Sequence, residues 1–418
     1  MTGAFGTLDV VFWGVLTFSI LVVLHEMGHF LAARAFGVKV HEFMVGLPGP
    51  ALRLRTKNMY WGVTAVPLGG YVRIAGMEPG AEDELLAPAL AAVRDGRADG
   101  PASLAVALGI DADRAEALIT TLVDWKAIED LGDGTHRLTV DGETAGLDET
   151  GLLARARSVT YRGQKTWKRI TILAMGVIMN LALAILTFTV FLSVWGYLEP
   201  TTTVAVVTPE SAAESAGILE GDSLVAFDGQ PVDSWEDFQS AVGASDAGEP
   251  VIVTVERDGA RIDLPATLGD RDGRGYLGIG PESVAVRLNV FQSLGESFKL
   301  TGLVFEAIVD LFNPRTFSRS VQDVRGIVGI SEMAADAAHA GPLDYAGLIA
   351  MLSLSLGVMN ILPLPPLDGG KVALEIVERI AGKPLKRSIT IGLSAAGAVV
   401  LFSLIGYVLY ADIVRMAG

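Results

Sequence analysis

Residues 10–31 read VVFWGVLTFSILVVLHEMGHFL, an apolar run that ends in two histidines and a glutamate. About 20 apolar residues at 1.5 Å per residue span a bilayer core of about 30 Å, so the run predicts a membrane helix. Residues 1–9 carry no Lys or Arg, and no small-residue cleavage site follows the run. A removable signal peptide is therefore not predicted, and the helix is expected to stay in the mature protein.

Three more segments have the same character, and half of the 418 residues are apolar. They cover residues 170–197, 345–364 and 388–410. The alternative, that they are buried helices of a large soluble protein, is disfavoured by their length and near absence of charge. The predicted fold class is a multi-pass α-helical membrane protein with four transmembrane helices.

Basic residues indicate which side of the membrane each segment faces, because Lys and Arg near a span are retained in the cytoplasm. They cluster before the second predicted helix and between the third and fourth. Both termini and residues 198–343 are therefore predicted to be extracytoplasmic. The clusters are Arg155, Arg157, Arg162, Lys165, Lys168 and Arg169, and Lys371, Arg379, Lys383, Lys386 and Arg387.

The chain has no cysteine, which excludes a disulfide framework, a thiolate metal ligand and a cysteine nucleophile. Its net charge of −16 argues against a nucleic-acid partner, because phosphate neutralisation needs clustered Lys and Arg.

Residues 1–79 are predicted to hold the first helix and a small β element. Residues 61–74 combine period-two alternation with paired glycines, a pattern typical of short strands and tight turns. We expect a hairpin or small sheet on the cytoplasmic side of the membrane.

Residues 80–155 form a predicted acidic cytoplasmic insert, with 16 acidic residues against 5 basic ones in residues 80–150. A short helix over 103–108 precedes an amphipathic helix that begins at Asp111, and a hairpin with an Asp133-Gly134 turn follows. This order resembles a winged helix. The acidic balance favours a protein contact or a spacer over DNA binding.

Residues 156–200 hold the second helix, and residues 201–283 resemble a PDZ domain. The resemblance lies in Gly217-Ile218-Leu219-Glu220-Gly221-Asp222 and in the later Asp228-Gly229 turn. The carboxylate-binding loop would be Tyr276, Leu277, Gly278 and Ile279. Such a domain pairs a peptide C-terminus with a sheet edge, or acts only as a steric plug, and both alternatives stay open.

Residues 284–343 are predicted to be an extracytoplasmic helical linker, and residues 344–418 contain the third and fourth transmembrane helices.

The His25-Glu26-x-x-His29 motif places two imidazoles four residues apart, on one face of a helix. At that spacing both reach one zinc ion, and Glu26 can take a proton from the attacking water. Ionisable groups inside a membrane segment are costly and mark working sites. The alternative is a pair of chance histidines that cap a helix at the interface.

Catalytic zinc takes three protein ligands, so a third is expected at the depth of His25. Asn360 lies 15 residues past Tyr345, on a predicted helix that runs in the same direction as the first. It therefore reaches the same depth as His25, roughly 22 Å from the outer face of the membrane. Prolines after Asn360 break the helix, which membranes tolerate where the segment is buried in protein. Asp368 follows on this irregular backbone. By itself an Asp before two glycines reads as a turn or helix cap.

His25 to His29, together with Asn360-x-x-Pro-x-Pro-x-Leu-Asp-Gly, match the paired motifs of the site-2 protease family. The chain most resembles the bacterial branch that includes the regulator of sigma-E protease. Residues 69–72, Asn180 and residues 325–330 are similar to further elements of that branch. Two features depart from it, namely Ala174-Met175-Gly176 in place of Ala-Gly-Pro, and the acidic insert.

The resemblance implies zinc held by His25, His29 and Asp368, with Glu26 as general base. It implies that Asn360 bonds the substrate strand, and that the β element holds an unwound substrate helix. The β-element residues are Gly69, Gly70, Tyr71 and Val72.

The function implied is regulated intramembrane proteolysis in the bacterial inner membrane, with the PDZ domain screening substrates by the size of their ectodomain. The substrate would be a single-span protein such as an anti-sigma factor or a remnant signal peptide. One rival is a catalytically silent, membrane-anchored PDZ scaffold. A second rival, a channel or transporter, predicts inverted repeats that the sequence does not display.

Overall fold

The computed structural model describes residues 4–56, 59–77, 83–140, 144, 146–271, 273–313, 315–321, 324–383 and 385–417. One compact unit comprises Met1–Phe188 and Glu296–Gly418, and a second comprises Thr189–Gly295. The predicted boundary at residues 79–80 lies outside the described residues. The other predicted domain boundaries stay predictions.

The first unit begins with a long apolar helix followed by a four-stranded sheet. These elements are α1 (Ala4–Ala35), β1 (Val40–Val45), β2 (Ala51–Arg55), β3 (Tyr60–Thr64) and β4 (Gly70–Ile74). The strand order is β2-β3-β1-β4, so β4 forms an edge. The Phe30 ring of α1 lies 5.7 Å from the Phe43 ring and 5.2 Å from the Trp61 ring, which packs the sheet on the helix.

The acidic segment has a core of its own. Its elements are α2 (Leu86–Arg94), α3 (Pro101–Leu108), α4 (Ala112–Asp124), β5 (Ile128–Asp130), β6 (His136–Leu138) and α5 (Glu149–Ser158). Asp111 caps α4 by accepting a 2.8 Å hydrogen bond from the Arg114 amide. Leu90, Leu118 and Leu122 are buried in the core. The predicted helix, helix and hairpin are present, and α2 and α5 add to them.

The second apolar helix, α6 (Thr166–Val194), ends before the predicted Tyr197. Gly196 follows it with a φ of 80°, which suits glycine and turns the chain into a strand.

The second unit is a sheet with two helices. Its elements are β7 (Tyr197–Val207), α7 (Ala212–Ala216), β8 (Ser223–Phe227), β9 (Gln230–Pro231), α8 (Trp235–Ala244), β10 (Pro250–Arg257), β11 (Ala260–Thr267), β12 (Gly269–Arg271), β13 (Arg274–Tyr276) and β14 (Ile279–Val286). The main sheet has the order β11-β10-β8-β7-β14. The buried Asp222 accepts two 2.7 Å hydrogen bonds from Arg257, whose guanidinium lowers the pKa of that carboxyl.

The chain closes with a run of helices. They are α9 (Val290–Asp310), α10 (Phe317–Ser320), α11 (Ile327–Ala340), α12 (Pro342–Ile361), α13 (Asp368–Ala381) and α14 (Arg387–Ala417). Helix α12 ends before the predicted Leu364, because Leu362 precedes Pro363 and adopts an extended ψ of 137°.

Among the described residues, four helices are long and apolar enough to cross a membrane. They are Gly6–Ala35, Thr166–Val194, Pro342–Ile361 and Ser388–Asp412. These helices lie where the sequence predicts them, and they fit a membrane protein of mixed helix and sheet content. The number of spans and their direction stay predictions.

Candidate metal centre

His25 and His29 lie one turn apart on α1 and face the same point. Their Nε2 atoms are 3.3 Å apart, and the two side chains are 9% and 6% exposed. Helical spacing explains the shared face, because residues four apart are neighbours on a helix surface.

Asp368, the first residue of α13, brings a carboxylate to these imidazoles from 343 residues away in the sequence. Its Oδ2 lies 2.8 Å from Nε2 of His25 and 3.0 Å from Nε2 of His29. A side chain at Gly369 or Gly370 would collide with the backbone of residues 361–365. Two glycines therefore let α13 begin close enough to α12 for Asp368 to reach the histidines.

The far sides of the two rings are held by α6. His29 Nδ1 lies 2.8 Å from the Ile172 carbonyl oxygen, and His25 Nδ1 lies 3.3 Å from Asn180 Nδ2. The sequence reading noted Asn180, whereas Ile172 acts through its backbone and leaves no signal in the sequence.

Gly176 of α6 leaves space beside both rings. A Cβ built there would lie 2.5 Å from His29 Nε2 and 2.8 Å from His25 Cε1. Ala174-Met175-Gly176, the segment that departs from the family pattern, thus allows α6 to pack closely against the histidines.

Glu26 lies next to the edge strand of the sheet. Its Oε2 accepts a 3.1 Å hydrogen bond from the Val72 amide of β4. Gly70, Tyr71 and Val72 are in this strand, and Gly69 precedes it with a φ of 78°. The structure therefore brings Glu26 and the predicted β element together.

Asn360 is 9% exposed and lies near the end of α12. Its Nδ2 donates a 3.0 Å hydrogen bond to the Leu356 carbonyl of the same helix. Contact with a substrate strand stays a prediction.

In the second unit, Tyr276, Leu277, Gly278 and Ile279 line a cavity of about 510 Å³. Trp235, Phe238 and Val242 of α8 line it as well, and Arg271 and Arg274 add positive charge.

Two features near the centre were missed by the sequence reading. Lys371 Nζ lies 3.1 Å from Asp368 Oδ1. Glu375 accepts a 2.9 Å hydrogen bond from the Tyr161 hydroxyl and pairs with Arg169 at 2.9 Å, which ties α13 to α6. Helical spacing offers a signal for both, because residues three and seven positions after Asp368 share its face of the helix.

The donor atoms of His25, His29 and Asp368 lie close enough together to hold one metal ion, and all three residues are buried. A centre of this kind beside a glutamate, with both histidines on a helix of membrane length, indicates a metal-dependent protease of the membrane. The comparison with known families specifies the class further. The family model described as peptidase family M50 matches residues 13–404, and the chain belongs to that family.

Related proteins agree over almost the whole length. A Rhizobium meliloti protein named as a zinc metalloprotease is 30% identical over 387 residues, which cover 88% of this chain and 86% of the relative. An Agrobacterium fabrum protein named likewise is 28% identical over 421 residues, covering 97% and 95%. The protease Eep of Enterococcus faecalis is 28% identical over 393 residues, covering 89% and 90%.

Peptidase family M50 consists of zinc-dependent proteases, and the protein is a zinc metalloendopeptidase of the site-2 type.

Proposed function

We propose that the protein is an intramembrane endopeptidase that cleaves single-span membrane proteins in regulated intramembrane proteolysis. An anti-sigma factor or a remnant signal peptide is the substrate class we infer. One observation carries the proposal: His25 Nε2, His29 Nε2 and Asp368 Oδ2 lie 2.8–3.3 Å from one another at a helix of membrane length.

His25, His29 and Asp368 are the residues we assign as zinc ligands. Two imidazoles and a carboxylate match the three protein ligands of catalytic zinc sites. When bound, zinc polarises the scissile carbonyl and lowers the pKa of the attacking water towards 7.

The hydrogen bond of His29 supports this assignment. Its Nδ1 must carry a proton to bond the Ile172 carbonyl oxygen at 2.8 Å. In a neutral ring, Nε2 then presents a lone pair to Asp368 Oδ2 at 3.0 Å. Two such lone pairs repel unless a cation lies between them, so the pocket suits a metal ion.

Asn180 supports the same assignment at His25. Asn180 Oδ1 is buried and has no hydrogen-bond partner among the described residues, while Nδ2 lies 3.3 Å from His25 Nδ1. With the amide turned by half a rotation, Oδ1 accepts the Nδ1 proton and His25 Nε2 is left to bind metal.

Glu26 is the general base and acid of the proposed reaction. Its carboxylate accepts a proton from the attacking water and then delivers that proton to the leaving amine nitrogen. The Val72 amide fixes Oε2 at 3.1 Å, which orients the carboxylate beside the sheet edge.

The edge strand β4 is the site we propose for the substrate backbone. A helical substrate hides its carbonyls in intrahelical hydrogen bonds and must unwind before it is cut. Pairing with β4 around Gly70 to Val72 supplies replacement bonds, and the Asn360 amide would bond the same strand.

The second unit is the proposed PDZ domain, which would take a peptide C-terminus or screen substrates by size. Its cavity between α8 and residues 276–279, with two arginines at its border, supports peptide binding. In the proposed topology, this unit and both termini lie on the extracytoplasmic side of the bacterial inner membrane.

The decisive experiment measures cleavage of a single-span model substrate by the purified protein in detergent. Glu26→Gln keeps the shape but removes the base, so we expect about 10²- to 10⁴-fold slower cleavage with zinc retained. Cleavage should also stop with a chelator and return with added zinc. Equal cleavage by wild type and Glu26→Gln would refute the assigned role, and absence of both zinc and cleavage would favour the PDZ scaffold.

A further inference from the structure

A cavity of about 700 Å³ lies where α1, the four-stranded sheet and the acidic segment meet, apart from the proposed catalytic residues. It is lined by the end of α1, by β1, β2 and β3, and by the turn after α4. Its cationic side chains are Arg34, Lys39, Arg55 and Lys126, and its neutral lining includes Tyr60 and Thr139.

The two carboxylates that line the cavity are engaged within the protein. Glu129 pairs with Arg55 at 3.4 Å and with Arg137 at 3.2 Å. Asp130 Oδ1 accepts a 2.8 Å hydrogen bond from the Gly132 amide. Among the described residues that line the cavity, four cationic side chains stand against these two carboxylates, so the lining has a net positive charge.

The surroundings of Lys126 reflect this net positive charge. Its Nζ donates a 2.8 Å hydrogen bond to the Val40 carbonyl, which holds the ammonium group against β1. Burial and the neighbouring cations Lys39, Arg34 and Arg73 lower the pKa of Lys126 to about 8. An anion in the cavity would offset this repulsion.

One wall of the cavity is formed by the end of an apolar helix. Arg34 is in the last turn of α1, within the candidate span Gly6–Ala35. Just beyond it, the Phe36 ring contacts Trp167 at 5.3 Å and Lys168 Nζ at 5.3 Å, at the start of α6. Aromatic and basic residues at helix ends mark the level of lipid headgroups.

We propose that this cavity binds a phosphate group at the membrane surface, with Arg34 and Lys39 on the membrane side and Arg55 and Lys126 on the sheet and insert side. An anionic phospholipid headgroup is the source that the location favours, and a soluble phosphate compound shares the same chemistry. A phosphate held there would bridge α1, the sheet and the acidic segment, and so stabilise their junction.

The test uses the full chain in a neutral detergent, with phosphatidylglycerol or phosphatidylcholine added and bound lipid measured by native mass spectrometry. We expect tighter binding of phosphatidylglycerol. The double variant Arg34→Gln/Lys39→Gln should weaken that binding by about 10- to 30-fold, because each basic residue contributes about a factor of five.

Two controls distinguish a specific phosphate site from non-specific attraction between basic residues and anionic lipid. Lys386→Gln removes an exposed cation beside the last span, outside the cavity, and should leave the affinity within about twofold. Arg34→Lys/Lys39→Arg keeps the charge and should keep the binding, while thermal unfolding checks the fold of each variant.

Competition with inorganic phosphate distinguishes the sources. If millimolar phosphate leaves phosphatidylglycerol bound, the lipid is the ligand. If it displaces the lipid from the wild type but not from the double variant, the phosphate site stands and its ligand is soluble. Equal affinity for both lipids with no phosphate binding, or phosphatidylglycerol binding unchanged in the double variant, overturns the proposal.

Discussion

Two regions of the first unit each bring histidine against a buried aspartate, yet their contacts differ in kind. At the junction of the acidic segment with the sheet, His41 Nε2 donates a 2.6 Å hydrogen bond to the Asp124 carbonyl oxygen. The Asp124 carboxylate accepts a 2.9 Å bond from the Gly76 amide and lies 3.8 Å from Arg73. These contacts form a hydrogen-bonded network that needs no added ion.

At the His25, His29 and Asp368 centre, the polar atoms instead converge on one point. Both Nε2 atoms face the same carboxylate oxygen, and the outer sides of the rings are occupied by Ile172 and Asn180. The comparison teaches that close contact of His with a buried Asp does not by itself identify a metal site. Convergence of donor atoms that lack other partners does.

The same substitution in both regions gives the sharpest test of this contrast. Asp368→Asn removes the anionic ligand, so we expect bound zinc and substrate cleavage to fall to background. Asp124→Asn should keep zinc and cleavage but lose about 1–3 kcal/mol of stability, because the Gly76 amide and Arg73 lose their charged partner. Metal analysis, cleavage and thermal unfolding of both variants provide the measurements. Zinc retained in Asp368→Asn, or lost in Asp124→Asn, would break the comparison.

A matched pair of glycine variants tests the packing of α6 against the histidines. Gly176→Ala places a methyl group 2.5 Å from His29 Nε2, so the ring or the helix must shift. We expect about 10- to 100-fold weaker zinc affinity, the scale of a disturbed shell around a metal ligand. Gly392→Ala in α14 meets no atom within 4 Å and should leave affinity unchanged. Equal zinc affinities in the two variants would show that the close approach of Gly176 has no effect.

Acidification of the junction gives a further test of the comparison, without any change at the metal centre. Burial, with help from the Lys126 and Arg73 cations, lowers the pKa of His41 to about 4. An unfolded histidine titrates near 6.5, so between these values the unfolded state binds more protons. The stability contributed by neutral His41 is therefore complete above about pH 6.5 and is lost as pH falls towards 4, by about 3 kcal/mol.

Hydrogen exchange in β1 measures this loss between pH 7 and pH 5, with rates corrected for the intrinsic pH dependence of exchange. Protection should fall in wild type and stay flat in His41→Gln, which cannot take the proton. Identical pH profiles in the two proteins would assign the sensitivity to another group.

Sequence reasoning predicted the residues of the candidate metal centre because their signals are local. The spacing of His25 and His29 defines a helical face, and the prolines before Asp368 mark broken backbone at a matching depth. The helix limits were less predictable, since Gly196 and Leu362 end their helices through local backbone conformation.

The junction left no comparable signal. His41 and Asp124 are 83 residues apart, and the carbonyl and amide groups that complete their network belong to the backbone. The sequence reading described residues 80–155 as a module with a protein contact or a spacer role. Within the chain it contacts β1 and the turn after β4 through Asp124 and Lys126, and β2 through the pair of Glu129 with Arg55.

The distance in sequence between the proposed zinc ligands also sets the moment at which the protease can form during synthesis. His25 is synthesised first, and its partner Asp368 is made 343 residues later. A nascent chain that ends before α13 has the glutamate and both histidines but lacks the third ligand. Proteolytic competence is therefore acquired only once α13 has been made, after the acidic segment and the second unit have been synthesised.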